Sequence, residues 1–479
     1  MLNRFTGRKI VVRLLGLIAA ASLNASPASA ADLGGDCCAD LEERVAELEA
    51  TTVRKGNKKV TVTVSGWVIK AMNWWDDGAD QNFAVGDKGF PIASNFTISG
   101  SAQITPGWTA GYNMTVEAPG DVFSFAANQF QDVTGPGTVN TLLSYVWIKS
   151  DKWGRLNWGT LYPATDNVAL LPDLSGTVLE SNSIFQEGAG FFLRPKGVNG
   201  KGTAGLLGLT WGNFLWCGGL NAGIGGDCGI PTAGVRYDSL TFGGFSVSGG
   251  YSSFQNSINE FDLWDVAVKY AGDWGSFKTA AAYGFTHTSG GTGVNNGLLS
   301  FDEDVDRHQV GASVMHMPTG LFVYGMYQYE DADPTPPFAA IPNVRGAGND
   351  NNVWFAKVGI KRNWNPLGAT VLWGEGGQYS DQFGDLKGVD LCAAGLLATF
   401  GGEVAPACRN STGTAFVTDS RIDRWGLGVM QEIDSAAMHL FLRWQHQELD
   451  ARFETQTGNA VSQGFEDWDL IQAGGIIFF

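Results

Sequence analysis

The sequence is poor in charged residues, in histidine and in long apolar runs. Asp, Glu, Lys and Arg make up 16% of the 479 residues, whereas an average soluble protein has about 25%. No segment offers the roughly 18 or more consecutive apolar residues typical of a transmembrane helix, so helical membrane spans are excluded. The five histidines are scattered, and neither C-x-x-C spacing nor a phosphate-binding or dinucleotide-binding motif occurs. No metal or other cofactor is therefore expected.

Glycine and aromatic residues are abundant instead. Glycine occurs 66 times, which is about twice its usual share of ~7%. Aromatic residues reach 12%, with 17 Trp and 29 Phe. This composition is unlike that of a disordered chain. The formal net charge of −17 argues against nucleic acid as a partner.

The first thirty residues have the pattern of a secretory signal peptide. Four cations within the first thirteen residues precede an apolar core at 14–23, and Ala28-Ser29-Ala30 is typical of a cleavage site. The apolar core is too short to span a membrane, which argues against an N-terminal anchor. We therefore assign 1–30 to the signal peptide. Export places the mature chain, which begins at Ala31, where disulfides can form.

Four of the six cysteines form two close pairs in Gly-rich, turn-rich stretches. Cys217 lies near Cys228, and Cys392 lies near Cys408. We predict that each pair forms a disulfide that staples a loop. Six cysteines allow fifteen pairings, so this assignment depends on proximity alone.

Residues 31–59 contain the one clear helical pattern. Leu41, Val45 and Leu48 are spaced by four and three residues, which places them on one face of a helix over 40–49. So short a helix is barely stable alone in water. The segment is expected to be either a short coiled coil within a trimer or a frayed tether.

From residue 60 onward the apolar period changes to two. Val60, Val62 and Val64 alternate with Thr61 and Thr63, which puts one class of side chain on each face of a sheet. Many of the segments with this pattern approach the length of a tilted membrane strand, about 9–11 residues. The sixteen predicted strands are 60–72, 95–105, 109–117, 141–150, 155–161, 233–239, 245–253, 263–271, 276–288, 306–316, 321–331, 351–362, 369–380, 420–432, 437–448 and 466–479.

Short and long connections alternate between these strands. Tight turns such as 106–108 and 151–154 are followed by long links such as 118–140 and 162–232. This alternation is typical of outer-membrane barrels. A sheet that spans lipid has to close, because lipid offers no hydrogen-bond partner to a free edge. The sequence therefore predicts an all-β fold: a sixteen-stranded antiparallel transmembrane β-barrel over 60–479, preceded by a short periplasmic helix.

Several motifs resemble those of the general porins of Alphaproteobacteria. The most specific is the segment 31–49, which starts Ala31-Asp32-Leu33 and contains Cys37-Cys38-Ala39-Asp40. Further matches are 59–66, 173–176, 236–238, 264–267 and the terminal Phe479. The resemblance covers nearly all of the mature chain. It implies a homotrimeric, multi-pass porin of the bacterial outer membrane, in contact with lipid and lipopolysaccharide, that admits small hydrophilic solutes.

The resemblance also implies a constriction, because a long loop of such porins folds into the barrel. Here that loop is 162–232, and its candidate acidic residues are Asp166, Asp173, Glu180 and Glu187. Strand alternation places candidate basic residues on the water-facing wall: Arg155, Arg236, Arg307, Lys357, Arg424 and Arg443. Acids on the loop and bases on the wall would set a transverse field across the channel. Charged linings determine ion preference, and the acidic net charge favours weak cation selectivity.

A substrate-specific channel is the main alternative to a general pore. Such a channel could line its path with aromatic residues for a sugar or another small solute. Phe185, Phe191 and Phe192 lie in the inferred constriction loop and suit that role. They suit equally well an anchor that ties the loop to the wall.

An enzyme on a barrel scaffold is a further alternative, and it would need a histidine beside a carboxylate and a nucleophile. His308 has Asp306 nearby in sequence, and His446 has Glu448. Neither pair lies in a recognisable nucleophile motif. No enzymatic activity is expected.

The mature N-terminus resembles the Ala-Asp start of alphaproteobacterial barrels that are linked to peptidoglycan. Ala31-Asp32 matches that start. The resemblance implies a covalent link between the Ala31 amine and the cell wall. The alternative is an unmodified, flexible N-terminus.

Overall fold

The computed structural model of the chain describes the barrel region and leaves the N-terminal residues out. The described residues are 60–88, 92–118, 127–130, 139–181, 187–198, 202–215, 231–255, 259–292, 303–334, 350–383, 386 and 389–479. The predicted signal peptide, the helix at 40–49, Ala31 and the pair Cys217–Cys228 lie outside them. Within the described ranges, no helix has the length and apolar character needed to cross a membrane.

The described chain forms one large antiparallel sheet. Its strands are β1 (Thr61–Asp76), β2 (Gln81–Gly86), β3 (Asn95–Thr105), β4 (Trp108–Glu117), β5 (Asn140–Ser150), β6 (Gly154–Leu161), β7 (Thr232–Asp238), β8 (Phe245–Gln255), β9 (Asn259–Trp274), β10 (Phe277–Thr292), β11 (Glu303–His316), β12 (Leu321–Pro334), β13 (Asp350–Asn365), β14 (Gly368–Ser380), β15 (Phe416–Ile433), β16 (Met438–Glu454), β17 (Ala460–Ser462) and β18 (Trp468–Phe478). Between β6 and β7 lie an α-helical turn, Val178–Ser181, and two 3-10 turns, Gly202–Gly205 and Trp211–Asn213.

Sixteen of these strands close into a barrel. β1 pairs with β18 on one edge and with β3 on the other, and β16 pairs with both β15 and β18. The prediction of a sixteen-stranded antiparallel barrel is confirmed, and each predicted segment overlaps one barrel strand. The two remaining strands are short additions: β2 pairs back onto β1, and β17 onto the end of β16. The periodicity analysis missed both, because so few residues give little alternation to detect.

The outer face of the barrel carries the apolar side chains that the alternation predicts. Val146, Trp158 and Val235 face each other in register across β5, β6 and β7, and all three are exposed. The residues between them, including Trp147, Asn157 and Arg236, point to the interior. An apolar outer face suits lipid, which solvates apolar side chains and offers no partner to polar ones.

A hydrophobic core occupies part of the barrel interior. Its buried members come from the chain between β6 and β7, from the chain between β14 and β15, and from the inner face of several strands. Examples are Phe191, Leu209, Trp211, Leu391, Leu397, Tyr324, Phe355, Tyr379, Trp468 and Trp75. Each large apolar side chain removed from water contributes about 1.5–3 kcal/mol. This burial holds both long connections inside the barrel.

The connection between β14 and β15 contains the disulfide predicted between Cys392 and Cys408, with Cα atoms 5.6 Å apart. Cys408 is buried, and Cys392 packs against the hydrophobic core. The disulfide therefore links two parts of the β14–β15 connection, which contributes to the hydrophobic core inside the barrel.

Candidate functional site

The described part of the chain between β6 and β7 (162–181, 187–198, 202–215 and 231), called here the inward loop, contacts the inner wall from β9 round to β1. It begins against β9 and β10, where the Thr165 amide and hydroxyl donate to Asp265 Oδ2 at 2.8 and 3.0 Å. It continues past β11 and β12, where the Tyr324 hydroxyl donates to the Ala169 carbonyl at 2.8 Å. Gly311 of β11 permits this approach, because a Cβ there would overlap the Ala169 backbone. The wall sequence is thus adapted to a loop lying on it.

A buried ion pair fixes the next part of the inward loop to β13. Lys357 Nζ lies 2.8 Å from Asp173 Oδ2 and donates to the Thr177 hydroxyl at the same distance. Neither the Lys357 nor the Asp173 side chain is exposed. Burial by itself raises the pKa of Asp173, but the Lys357 ammonium, with the Ser175 amide, more than offsets it, and the pKa is lowered. Asp173 is therefore held as a carboxylate against the wall.

A cluster of buried charges holds the loop further on. Glu187 forms ion pairs with Arg443 of β16, with Lys88 at 3.3 Å and with Arg424 of β15 at 3.8 Å. Lys88, which follows β2, also donates to the Glu180 carbonyl at 2.6 Å. Three cations thus converge on one carboxylate. Removing one member of such a buried set leaves uncompensated charge, which typically costs 3–5 kcal/mol.

Glu180 reaches the wall through a histidine. Its Oε1 lies 2.7 Å from Nδ1 of His439, which faces inward on β16. The Glu180 side chain is buried.

The stretch of the loop over 187–198 is anchored beside β1. Arg194 makes a two-point contact with Asp77, at 3.0 and 2.8 Å, and also pairs with Asp80 at 2.9 Å. Phe191 packs between Trp75 and Trp468, with ring centroids 5.1 and 5.3 Å away. Sequence reasoning did not find the pairing of Arg194 with Asp77, because nothing local relates residues so far apart.

The aromatic residues singled out in the loop pack against other aromatic side chains. Phe191 is buried in the core, and Phe192 packs edge-on against Phe130 and Phe400. Phe185 lies outside the described residues. Where they are described, these rings anchor the loop.

Most of the predicted constriction charges lie between the loop and the wall. The acids Asp173, Glu180 and Glu187 and the bases Lys357, Arg424 and Arg443 all belong to the contacts above, and none is more than 7% exposed. Arg307 pairs with Glu330 on the neighbouring strand β12. These groups face inward, as alternation predicts, but the structure brings them together as anchors beneath the loop.

We call the inner face of β9–β16, β18 and β1 the packed wall, and the inner face of β3–β8 the open wall. Among the described residues, no side chain of β3–β8 belongs to a hydrophobic core cluster. The open wall is lined instead with small polar groups: Thr97, Ser99, Ser101, Thr109, Asn113, Thr115, Asn157, Ser246, Ser248 and Ser252. Hydroxyls and amides of this kind suit contact with water.

The remaining predicted charges lie on or beside the open wall. Arg236 of β7 donates to the Tyr162 carbonyl at 2.8 Å and pairs with Asp238 at 3.1 Å. Lys269 of β9, which faces Ser246 in register, interacts electrostatically with Arg236 and with Asp166 of the loop. Asp166 is thus the one predicted loop acid near cations at the edge of the open wall.

Arg155 lies on aromatic rings of the open wall. Its guanidinium carbon is 4.5 Å from the ring centroid of Trp147 and 5.8 Å from that of Tyr145. Lys149 faces Arg155 directly across β5 and β6. Two cations and two aromatic rings therefore share one patch of the interior surface.

The two histidines singled out in the sequence, His308 and His446, lie on the outer face of the barrel. His308 Nδ1 is 2.7 Å from the Tyr283 hydroxyl, and His446 lies 3.3 Å from Glu448 and 2.9 Å from Asp469. In the part of the chain that is described, one group could offer three metal ligands: His446, Glu448 and Asp467, with ligand atoms within 4.8 Å of one another. Asp467 lies in the link that precedes β18.

Comparison with known proteins gives a family and a fold. Residues 16–431 match a family model described as Gram-negative porin. An anion-selective porin from Comamonas acidovorans is 16% identical, with 88% of this chain and 100% of that chain covered and a TM-score of 0.52. OprB of Pseudomonas putida is 8% identical, with 92% and 97% covered and a TM-score of 0.52. The trimer form of Vibrio cholerae OmpT is 11% identical, with 88% of this chain and 100% of that chain covered and a TM-score of 0.46. No protein of curated function matches the sequence.

Proposed function

Since this chain belongs to the Gram-negative porin family and is an outer-membrane protein that crosses the membrane many times, we propose that it forms a water-filled channel for passive diffusion of small hydrophilic solutes and ions. The observation that carries this proposal is the division of the barrel interior. The packed wall is filled by loop and core, whereas the open wall presents hydroxyls, amides and cations. A solute therefore passes along the open wall.

The ion preference follows from the charges nearest that path. Three of the four candidate loop acids are buried against the packed wall, Asp173 and Glu187 in ion pairs with its cations and Glu180 in a hydrogen bond with His439. On or beside the open wall, Lys149 and Arg155 form no ion pair among the described residues, whereas Arg236 pairs with Asp238 and Lys269 lies near Asp166 and Asp265. Glu117, the inward acid of β4, is buried. Charges more than about 8–10 Å away are largely screened at physiological salt. We therefore propose weak anion preference, in place of the weak cation selectivity predicted from net charge.

Planar bilayers test both parts of this proposal. Purified protein is expected to give open channels with a conductance that rises with salt concentration. A salt gradient across the bilayer is expected to give a reversal potential whose sign shows that anions permeate more readily than cations. The opposite sign would restore the cation preference predicted from sequence. Failure to conduct at all would overturn the channel.

A substrate-specific channel is the second candidate, and the aromatic patch at Trp147 and Tyr145 favours it. Liposome swelling with graded sugars separates the two candidates. A general pore ranks sugars by size, and a specific channel ranks them by identity. We expect ranking by size, because the rest of the open wall offers small polar groups.

We propose a homotrimer, and one residue of the outer face supports it. Lys70 points outward from the middle of β1 between Val68 and Met72, is 48% exposed, and pairs with the buried Asp87 at 3.2 Å. A lysine that faces lipid near the membrane midplane costs about 2–4 kcal/mol. A protein neighbour at β1 removes that cost. Cross-linking of a cysteine placed beside Lys70 in intact membranes is expected to trap oligomers.

Two further proposals follow from the residue pattern of the N-terminus, namely the signal peptide at 1–30 and the periplasmic segment with its short helix at 31–59. Three follow from the resemblance: membership of the alphaproteobacterial porins, contact of the barrel with lipid and lipopolysaccharide, and attachment of Ala31 to peptidoglycan. Mass spectrometry of lysozyme-solubilised sacculi tests the last. A free Ala31 amine throughout would contradict it.

A further inference from the structure

Arg155 stands out among the described cations of the interior because it lies over two aromatic rings and forms no ion pair. Its guanidinium stacks on Trp147 and Tyr145, at 4.5 and 5.8 Å from the ring centroids. Its Nε is buried without a hydrogen-bond partner. Among the described residues, no carboxylate forms an ion pair with it. By contrast, Lys357, Arg424 and Arg443 each face a carboxylate.

The nearest acid in the sheet is already engaged. Asp238 faces Arg155 in register across β6 and β7. Its carboxylate instead accepts from Asn157 Nδ2 at 2.8 Å and pairs with Arg236 at 3.1 Å. The positive charge of Arg155 is therefore not balanced from this side.

The neighbour on the other side is a second cation. Lys149 of β5 faces Arg155 directly in the antiparallel register, and both side chains point inward. Lys149 is exposed. Like charges directly opposite each other destabilise a sheet. An anion bound between Lys149 and Arg155 would relieve that repulsion.

The aromatic platform is itself built into the wall. The Trp147 indole lies over Gly111 of β4, where a Cβ would overlap both the indole and the Gly100 carbonyl oxygen. The Arg155 guanidinium lies over this indole, with its carbon 4.5 Å from the ring centroid. A guanidinium held over an aromatic ring keeps the N–H groups at its edge for a ligand.

We propose that Arg155 and Lys149 form a binding subsite for the carboxylate group of a small solute in transit. A planar carboxylate can accept two parallel hydrogen bonds from a guanidinium edge, which gives orientation as well as attraction. The adjoining hydroxyls and amides of the open wall suit a polyhydroxylated remainder. The subsite rests on the proposed channel function, and it lies just beyond the short turn 151–153.

The direct test is block of the ion current by gluconate, with sorbitol as a neutral solute of similar size. Purified protein in planar bilayers at low KCl is expected to show a saturable fall in conductance as gluconate is added. Sorbitol is expected to show no such saturation. Arg155→Gln is expected to raise the half-blocking concentration about tenfold, as for the loss of one charge-assisted hydrogen bond. Lys149→Gln is expected to have a smaller effect in the same direction.

Two further variants separate a bidentate site from a general positive field. Arg155→Lys keeps the charge but loses the planar fork, so block weakens while the reversal potential in KCl stays close to that of the wild type. Trp147→Leu removes the platform that positions Arg155, and it is also expected to weaken block. Arg409→Gln is the matched control, because the Arg409 and Glu403 side chains form an exposed ion pair away from the subsite, and block is expected to be unchanged.

The outcomes distinguish this subsite from the channel itself. Equal block of wild type and Arg155→Gln, or equal block by sorbitol and gluconate, would overturn the subsite. Block by inorganic phosphate as strong as that by gluconate would overturn its assignment to carboxylates. Wild-type channels that conduct KCl but show no saturable block would leave the diffusion channel intact and remove the subsite. Absence of any conductance would remove the channel.

Discussion

The packed wall and the open wall belong to one barrel with one hydrogen-bonding pattern, yet their inward side chains differ. The packed wall carries Tyr324, Phe355 and Tyr379, together with cations that each meet a carboxylate. The open wall carries serine, threonine and asparagine, together with the Lys149–Arg155 pair that meets none among the described residues.

This difference shows what an inward charge does in a filled barrel. Under the loop, water is excluded, so a charge has to be paired and becomes an anchor. On the open wall, water can solvate a charge, so the charge can act on solutes. Inward direction alone does not distinguish these roles.

The largest expected effect comes from breaking the anchor cluster. Glu187→Ala leaves Lys88, Arg424 and Arg443 buried without their shared carboxylate, and the expected loss is about 3–5 kcal/mol of stability. The thermal unfolding temperature, measured by circular dichroism at a fixed scan rate, is expected to fall. An inward loop that is no longer held to the packed wall is expected to add fluctuations to the single-channel current.

The matched control for that variant is Glu403→Ala. It breaks the exposed Arg409–Glu403 pair, whose side chains are 52% and 44% exposed, and surface pairs contribute about 0–1 kcal/mol. An equal fall in unfolding temperature for both variants would contradict the anchoring role of Glu187.

The hydrophobic core gives the next effect. Leu209 of the inward loop is buried in that core, so Leu209→Ala is expected to cost about 2–5 kcal/mol through lost burial and the cavity left behind. Ser248→Ala on the open wall is expected to stay within about 0.5 kcal/mol. Unfolding temperatures of the two variants sharpen the comparison, and a larger loss for Ser248→Ala would reverse it.

Acid is expected to weaken the Asp173 anchor. Because its folded pKa is lowered, the pair with Lys357 contributes full stability above the ordinary aspartate value of about 3.9. That contribution is lost as pH falls through the lower folded value. Current fluctuations below about pH 4 are therefore expected to increase in the wild type and to be present already at neutral pH in Asp173→Asn. Identical pH profiles would show that this pair does not hold the loop.

The smallest effect concerns ion preference. Lys269→Gln removes a cation at the edge of the open wall and is expected to shift the reversal potential towards cations by a few millivolts, without loss of stability. Lys361→Gln is the control, because Lys361 pairs with Glu432 on the packed side. A shift for Lys361→Gln alone would place the ion path along the other wall.

Sequence reasoning was strongest where a pattern is local. All sixteen barrel strands were predicted, and Arg155, Arg236, Lys357, Arg424 and Arg443 point inward in register as alternation requires. Hydrophobic residues at inward positions of β12 and β13, such as Tyr324 and Phe355, broke the alternation. Apolar residues at these inward positions could have indicated that a loop packs against this wall.

The pairing of charges was beyond the same reasoning. Glu187 and Arg443 were both predicted as constriction charges, but their contact joins the loop to β16, a strand far away in the sequence. Nothing in the local sequence around Lys88 or Arg194 indicates the ion pairs that these residues form with Glu187 and Asp77.

The sequence by itself determined the strands, their alternating faces and the closed barrel, because these follow from backbone geometry within ten or so residues and from the requirement that no edge meets lipid. The tertiary structure alone decided which inward residues meet water and which meet the loop. That choice depends on the path of a long connection, and packing among residues far apart in the chain selects that path.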